Sequence, residues 1–266
     1  MKFSVLMSLY FKENPQYLIE CFESLQAQTL PADEIVLVFD GKLTDELEQV
    51  VQNFSTILPL VIIRLPQNRG LGKALNEGLL HCRNEWVFRM DTDDICLPDR
   101  FAKQVAFIEA NPDTIVVGGQ ITEFGQNVND VVGHRQVPTT HNEIIEFTKI
   151  RCPFNHMTIA YQKSEVLACG GYEDLQEDYY LWIKLVSSGK KVANLEDTLV
   201  YARVGNGMVG RRQGVAQAKA EWRLFELKRR LGVQNYVSGM AVFLCRAIPR
   251  LLPVSILSRL YRLVRK

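Results

Sequence analysis

The chain has 266 residues, 47% of them hydrophobic and 23% charged, enough for a full core and too ordinary for a disordered or collagen-like protein. Lys and Arg number 31 against 30 Asp and Glu, a formal net charge of +1, so nothing in the balance points to a nucleic-acid partner. One domain with an appendage, or two small domains, suits this length.

The opening MKFSVLMSLYFKENP has a Lys followed by an apolar run, but the run is short and charge returns at Lys12 and Glu13. It lacks a signal peptide's small-residue cleavage site and reads as a first β-strand. A helix from about Pro15 to Gln28 follows, with Leu18, Ile19, Phe22 and Leu25 on one stripe. Next come EIVLVF, a polar helix near Asp45 to Phe54, LVIIRL, a helix near Leu71 to Cys82, and WVFRM. Such alternation predicts βαβ units and a mostly parallel sheet flanked by helices. Ligands of such sheets bind beyond the carboxyl ends of the strands. Two predicted strands end in acids there, at Asp40 and at Asp91.

Beyond Asp94, LPDRFAKQVAFIEANP reads as a helix with Pro98 in its first turn and Asn111-Pro112 as its stop. TIVVGGQI is a further apolar run, after which the period weakens through what reads as a strand and loop region at the sheet's far side; the irregular stretch from Thr122 to Arg151 is expected to shape the pocket. EDYYLWIKLVSSGKK is helical, with Gly189 as its C-cap. VAQAKAEWRLFELKRRLG reads as an amphipathic helix with Val215, Ala218, Trp222, Phe225 and Leu231 in register. The last stretch is apolar but contains Arg246, Arg250, Arg259, Arg262, Arg265 and Lys266 and no acid. It is too interrupted to span a bilayer, which takes ~20 consecutive apolar residues. It has the pattern of an interfacial amphipathic helix broken at Pro249 and Pro253. Each Arg near anionic headgroups adds about 1 kcal/mol; packing on the catalytic domain or a dimer contact is the rival reading. The domains are therefore expected at 1–209, catalytic, and 210–266, a basic helical extension. The 6 cysteines are scattered without a C-x-x-C pair; Cys152 and His156 have a metal-compatible spacing but no second pair. Buried thiols in a reducing cytosol are expected.

The stretch FRMDTDDICLPDR carries the strongest chemical signal. Asp91 and Asp93 lie two apart and, if extended, face the same side. As anions they raise one another's pKa unless a cation or hydrogen-bond donors compensate. A hard divalent ion such as Mg²⁺ or Mn²⁺ answers this and is usually shared with substrate phosphates. The structural alternative is a helix cap at Asp94 or Asp99; the position after a fourth strand favours a site.

Taken with SVLMSLYFKENPQYLIECFESLQAQT, EIVLVFDG, NRGLGKALNEGL, MDTDDICLPDRF and GGYEDLQEDYYLW in this order, the chain resembles the inverting glycosyltransferases of family two. The resemblance covers roughly residues 1 to 205 and is nearest to bacterial exopolysaccharide and lipopolysaccharide enzymes of the amylovoran-biosynthesis type. It implies the GT-A fold, an α/β sheet with helices on its faces. It also implies transfer of a sugar from a nucleotide-diphosphate sugar, a UDP-sugar in the first instance, to a hydroxyl of a lipid-linked oligosaccharide. The work would be cytoplasmic, at the inner face of the cytoplasmic membrane. Two other readings of the acidic cluster are a non-catalytic sugar-nucleotide-binding module and a nucleotidyl or phosphoryl transferase.

By the same resemblance, Asp40 accepts from the base ring and Ser8 contacts the nucleotide. Family members carry two acids before the glycine, and here Phe39 stands in the first place. Arg69 and Lys73 neutralise phosphate or line the base pocket, while Gly70 and Gly72 let backbone amides approach an anion. Asp91 and Asp93 bind the nucleotide sugar, and Asp93 and Asp94 hold manganese or magnesium, either of the two serving as main ligand. Arg100 closes over the acids as a salt-bridge partner. His156 lies near the acceptor or diphosphate. Asp178, with Glu177 as the substitute, removes the acceptor proton.

Overall fold

The protein is described by a computed structural model over residues 1–173, 177–205 and 214–251. The first half alternates as its periodicity predicts: β1 (Phe3–Leu9), α1 (Pro15–Gln26), β2 (Glu34–Phe39), α2 (Asp45–Phe54), β3 (Leu60–Arg64), α3 (Leu71–His81) and β4 (Trp86–Arg89). Then follow β5 (Ile95–Cys96), α4 (Arg100–Ala110), β6 (Thr114–Phe124), β7 (Val131–Arg135), α5 (His141–Ile150), a 3₁₀ turn (His156–Thr158), β8 (Ala160–Gln162) and α6 (Lys163–Ala168). The described chain closes with α7 (Glu177–Val186), β9 (Lys191–Arg203), α8 (Val215–Arg230) and α9 (Tyr236–Arg250).

The strands form one sheet in the order β3-β2-β1-β4-β8-β6-β9-β5, with β7 paired to β6. Parallel pairing joins β3, β2, β1 and β4, and again β6 and β9. The short strands β8, β5 and β7 run antiparallel to their neighbours. The chain builds outward from β1 to β3 and then returns to β4 on the other side of β1. That reversal is where a crevice opens beyond the strand ends.

Both faces of the sheet are covered, which explains why β1 and β2 read as continuous apolar runs rather than alternating ones. Val5, Met7, Ile35 and Leu37 face Leu18 and Phe22 of α1, Leu47 of α2 and Phe101 of α4. Leu6, Val36 and Val38 face Ala74 and Leu75 of α3, with Ile144, Val166 and Trp182 of α5, α6 and α7 in the same cluster. At Gly78 of α3 an added Cβ would come within 2.5 Å of Leu6 and Val38, so only glycine lets that helix lie this close to β1 and β2.

Several expectations change in detail. Helix α4 begins at Arg100, after Pro98, and Asp99 in its N-cap position makes no capping bond. The stretch from Thr122 to Arg151 holds the end of β6, all of β7 and all of α5, so it is more ordered than its weak period suggests. Helix α5 opens with a reciprocal capping box between Thr140 and Glu143. Helix α8 buries Ala220, Glu221, Leu224, Phe225, Leu227 and Lys228, whereas Val215, Trp222 and Leu231 are exposed. Of the expected stripe only Phe225 faces inward. The register is set by α7, whose Tyr179 and Ile183 receive Leu224 and Leu227. Helix α9 runs on through Pro249 in its last turn. Pro253, the basic residues from Arg259 on and the 209/210 domain boundary lie outside the described residues. Cys21, Cys82 and Cys96 are buried free thiols, Cys152 and Cys169 are half-buried, and Cys245 is exposed.

Lys228 is the costly element of the α7–α8 contact. Its ammonium donates to the Tyr179 hydroxyl at 2.6 Å and to the Lys149 carbonyl at 2.9 Å while only 3% exposed. Burial and then the Arg246 charge, against a smaller pull from Glu221, lower its pKa to about 7. The unfolded chain therefore binds more protons between about pH 7 and 10.5, and this group makes stability rise with pH across that window. His156, raised to about 10, acts oppositely: its contribution is present below about pH 6.5 and is lost as pH rises to 10. Lys228→Met is expected to raise the urea midpoint at pH 7, since Tyr179 still donates to Thr148 and Lys149 still accepts from Gln234. With the Lys228 titration gone, stability falls from pH 7 to 10. A midpoint that still climbs over that range in the variant contradicts the assignment.

Candidate active site

The carboxyl ends of β1, β2 and β4 bring Ser8, Asp40 and Asp91 to the same edge of the sheet, with Ser8 paired in register to Val38. Asp40 is buried, and its two carboxylate oxygens accept the backbone amides of Arg69 at 2.6 Å and Gly70 at 3.0 Å. The amide donors of the glycine loop do face an anion, but that anion is Asp40. Gly41 makes this possible: its φ of +88° suits glycine, and a Cβ there would come within 2.6 Å of the Asn68 nitrogen. Arg69 and Lys73 border a cleft of about 380 Å³ with Asn76, Glu77, Gly170 and Gly171. The acids after β4 do not line that cleft. Asn76 has a structural role, exchanging two hydrogen bonds with the Tyr172 backbone.

After β4 the chain turns instead of staying extended, so Asp91 and Asp93 are not presented from one face of a strand. Asp91 is ion-paired to the buried guanidinium of Arg89 and lies 2.7 Å from His156 Nε2. Burial would push this carboxyl up, but Arg89 and His156 outweigh it and hold it well below the usual carboxylate range. The partner foreseen for the acids, Arg100, does something else. It points into the core toward the Arg89 carbonyl, Gln104 and the sulfur of Met90, because it opens α4 on the face packed against the sheet. Arg89 is the acid's true partner, and its position inside an apolar strand concealed the role.

Asp93 and Asp94 sit in the turn itself. Burial, then the charges of Asp91 and Glu13, raise Asp93 to about 7; burial, then Asp93 and Asp91, push the buried Asp94 up. Arg203 at the end of β9 braces this turn. Its amide donates to Asp94 at 2.8 Å, its Nε donates to the Asp93 carbonyl at 3.1 Å, and another guanidinium nitrogen reaches the Gln126 carbonyl at 2.8 Å. The same guanidinium pairs with Glu20 and stacks 3.8 Å from the Tyr17 ring centroid. Nothing local in the sequence marks Arg203; the contact depends on β9 pairing in parallel with β6, which brings Arg203 opposite Phe124.

His156, in the 3₁₀ turn before β8, bridges two acids from distant parts of the chain. Its Nε2 faces Asp91, and its Nδ1 lies 3.4 Å from Asp178 in the first turn of α7. Burial opposes charge on the ring, but Asp91 and Asp178 outweigh it and lift the imidazolium to about 10. Asp178 is held below the usual carboxylate range: burial opposes this, and the His156 hydrogen bond, its charge and the Tyr179 amide prevail. Glu177 opens α7, and its side chain lies outside the described residues. Trp182 is buried against Phe154, Tyr161 and Tyr172 and serves the core.

Among the described residues no three His, Cys, Asp or Glu side chains converge on one point. A hard divalent ion does not need three, since Mg²⁺ commonly takes one or two carboxylates and completes its shell with water and substrate phosphates. The raised Asp93 and Asp94 are such a pair, short of compensating charge, so this donor set fits manganese or magnesium.

The family model for glycosyl transferase family 2 matches residues 4–171. This span includes Ser8, Asp40, the acidic turn and His156. The chain belongs to that family. This glycosyltransferase is 71% identical over 262 residues to an uncharacterized glycosyltransferase of Haemophilus influenzae, with 98% of each chain covered. It is 44% identical to the amylovoran biosynthesis glycosyltransferase AmsE of Erwinia amylovora over 99% of both chains. It is also 35% identical to the UDP-Gal:alpha-D-GlcNAc-diphosphoundecaprenol beta-1,3-galactosyltransferase of Escherichia coli, covering 99% of this chain and 96% of that one. Among solved structures, TarS 1-349 of S. aureus in complex with UDP superposes with a TM-score of 0.65 at 23% identity, over 94% of this chain and 71% of that chain. The mannosyltransferase PcManGT of Pyrobaculum calidifontis, in complex with GDP-Man and Mn²⁺, gives 0.66 at 18% identity over 99% and 80%. The glycosyltransferase thus has the GT-A fold. Membership selects glycosyl transfer over the binding-module and phosphoryl-transfer readings.

Proposed function

We propose that the enzyme transfers a sugar from a UDP-sugar to a hydroxyl of a lipid-linked surface oligosaccharide, with inversion at the anomeric carbon. The observation that carries this reading is the continuous charge relay from Arg89 through Asp91 and His156 to Asp178. It ties the strand end where a donor nucleotide would lie to an ionised carboxylate suited to act as base. Asp178 takes the acceptor proton as that oxygen bonds to the anomeric carbon, and the bond from that carbon to the diphosphate breaks, its electron pair leaving with the nucleotide diphosphate. A single displacement inverts the centre and needs no covalent intermediate. Asp93 and Asp94 would hold a divalent ion, whose chemistry when bound is to offset charge developing on the diphosphate. Asp40, with Ser8, addresses the base and nucleoside, and it also keeps the Arg69-Gly70 loop in place. Arg69 and Lys73 flank the nucleotide on the α3 side.

A UDP-sugar is favoured as donor, and a lipid-linked acceptor as substrate, by the Escherichia coli relative, a UDP-Gal:alpha-D-GlcNAc-diphosphoundecaprenol beta-1,3-galactosyltransferase. An acceptor of that kind would put the enzyme at the inner face of the cytoplasmic membrane, with residues 1–209 catalytic and 210–266 an extension. A panel of nucleotide sugars in a Mn²⁺-dependent thermal-shift assay tests the donor. UDP-sugars are expected to raise the melting temperature and GDP- and CMP-sugars are not. The reverse ranking would overturn the base assignment.

A further inference from the structure

Helix α9 is apolar on two sides: Phe243 packs on Trp222 and Phe225 of α8, and Ala247 is buried. Its two arginines within the helix, Arg246 and Arg250, turn inward to the buried carboxylate of Glu221 on α8. The opposite face carries Val237, Ala241, Leu244, Cys245, Ile248 and Leu251, all exposed. Val237 is 79% exposed, Leu244 45%, Ile248 54% and Leu251 58%. At 100° per residue these six lie on a single side of the helix, and no charged side chain interrupts them. An ordinary surface helix shows water a charged side; this one shows water an apolar side as well as burying one.

We propose that this face of α9 is the surface by which the enzyme docks on a lipid bilayer with anionic headgroups. The proposal rests on the reading that the acceptor is lipid-linked, and it names the surface that would bring the enzyme to it. Charge decides for a bilayer. The sequence following the stripe adds Arg259, Arg262, Arg265 and Lys266 and no Asp or Glu, the pattern that anionic headgroups attract. Area points the same way. From Val237 to Leu251 the stripe is about 21 Å long, and at about 10 Å wide it offers roughly 200 Å², against about 800 Å² per partner in a stable protein interface. No described helix is long and apolar enough to cross a membrane, so the helix would lie in the plane of the interface.

The test is co-flotation of the full-length protein with vesicles of phosphatidylcholine alone and of equimolar phosphatidylcholine and phosphatidylglycerol. The wild type is expected to float with the anionic vesicles and not with the neutral ones. Leu244→Glu with Ile248→Glu, and the milder Leu244→Gln with Ile248→Gln, are expected to lower the bound fraction about tenfold, with melting temperature and the UDP-sugar thermal shift unchanged. Three results would overturn the proposal: no flotation of the wild type, flotation undiminished in both folded variants, or a wild-type dimer in solution that the variants dissociate. Loss of the UDP-sugar response in the wild type would instead strike at the functional reading, whatever the vesicles show.

Discussion

Asp178→Asn is expected to lower kcat for sugar transfer by about 10²- to 10⁴-fold, the range for losing a positioned general base, with donor binding intact. Asp178 is an ionised carboxylate at the start of α7, and its two oxygens are held by His156 and the Tyr179 amide. Asparagine keeps the shape and loses the charge, so the donor's KM and thermal shift should stay within a factor of two or three of wild type. Asp178→Glu should recover part of the rate, because the acidic group returns at an altered reach. Glu177→Gln alone should have a small effect, and this comparison separates the neighbouring acids. Normal transfer by the Asp178→Asn, Glu177→Gln double variant would remove the base from α7 altogether.

Asp93→Ala with Asp94→Ala should abolish metal-stimulated turnover, with a loss on the order of 10³-fold or more if the pair holds the ion. Asp93→Asn offers a sharper diagnosis because it separates function from stability. Burial, Asp91 and Glu13 raise the folded-state pKa of Asp93 to about 7, above its unfolded value. The metal-free folded state therefore binds more protons between about pH 4 and 7, and this group makes stability fall as pH rises through that window. Asp93→Asn should flatten that slope and stabilise the metal-free protein at pH 7.5 by on the order of 2 kcal/mol. In the wild type Mn²⁺ should give a larger stabilisation at pH 7.5 than at pH 5.5; in Asp93→Asn most of that gain should vanish. UDP-sugar turnover that survives the double alanine change would place the metal elsewhere.

What could be read from the chain beforehand depended on how local the cause was. EIVLVF becomes β2 at the expected bounds because a strand buried on both faces is a continuous apolar run, and Asp45 to Phe54 becomes α2 because Thr44 caps it and the helical period is regular. Helix α5 carries a Thr140-x-x-Glu143 signature, yet its apolar period is weak enough to read as loop. Strand β9 mixes apolar residues with Lys191, Glu196 and Asp197, and its pairing with β6 shifts register, so no clean alternation marks it. The acids could be seen in advance because strand-end carboxylates stand out against apolar runs. Their partners could not: Arg89 lies within a strand, and Arg203 reaches Asp94 across 109 positions of sequence. Asp40 shows the limit from another side, since its place was legible but its two amide bonds to the glycine loop were not.

The Arg203 brace has a consequence for how the acidic turn meets a ligand. One side chain holds the Asp93 carbonyl, the Gln126 carbonyl and Glu20 together, while its own amide takes Asp94. The turn cannot shift without breaking several of these bonds at once. The entropy of ordering this turn and the Asp94 carboxylate is therefore spent during folding, on tertiary contacts within the chain. On the proposed reading, a diphosphate arriving at this edge would meet a turn already in place, and its binding free energy would not be consumed in arranging it.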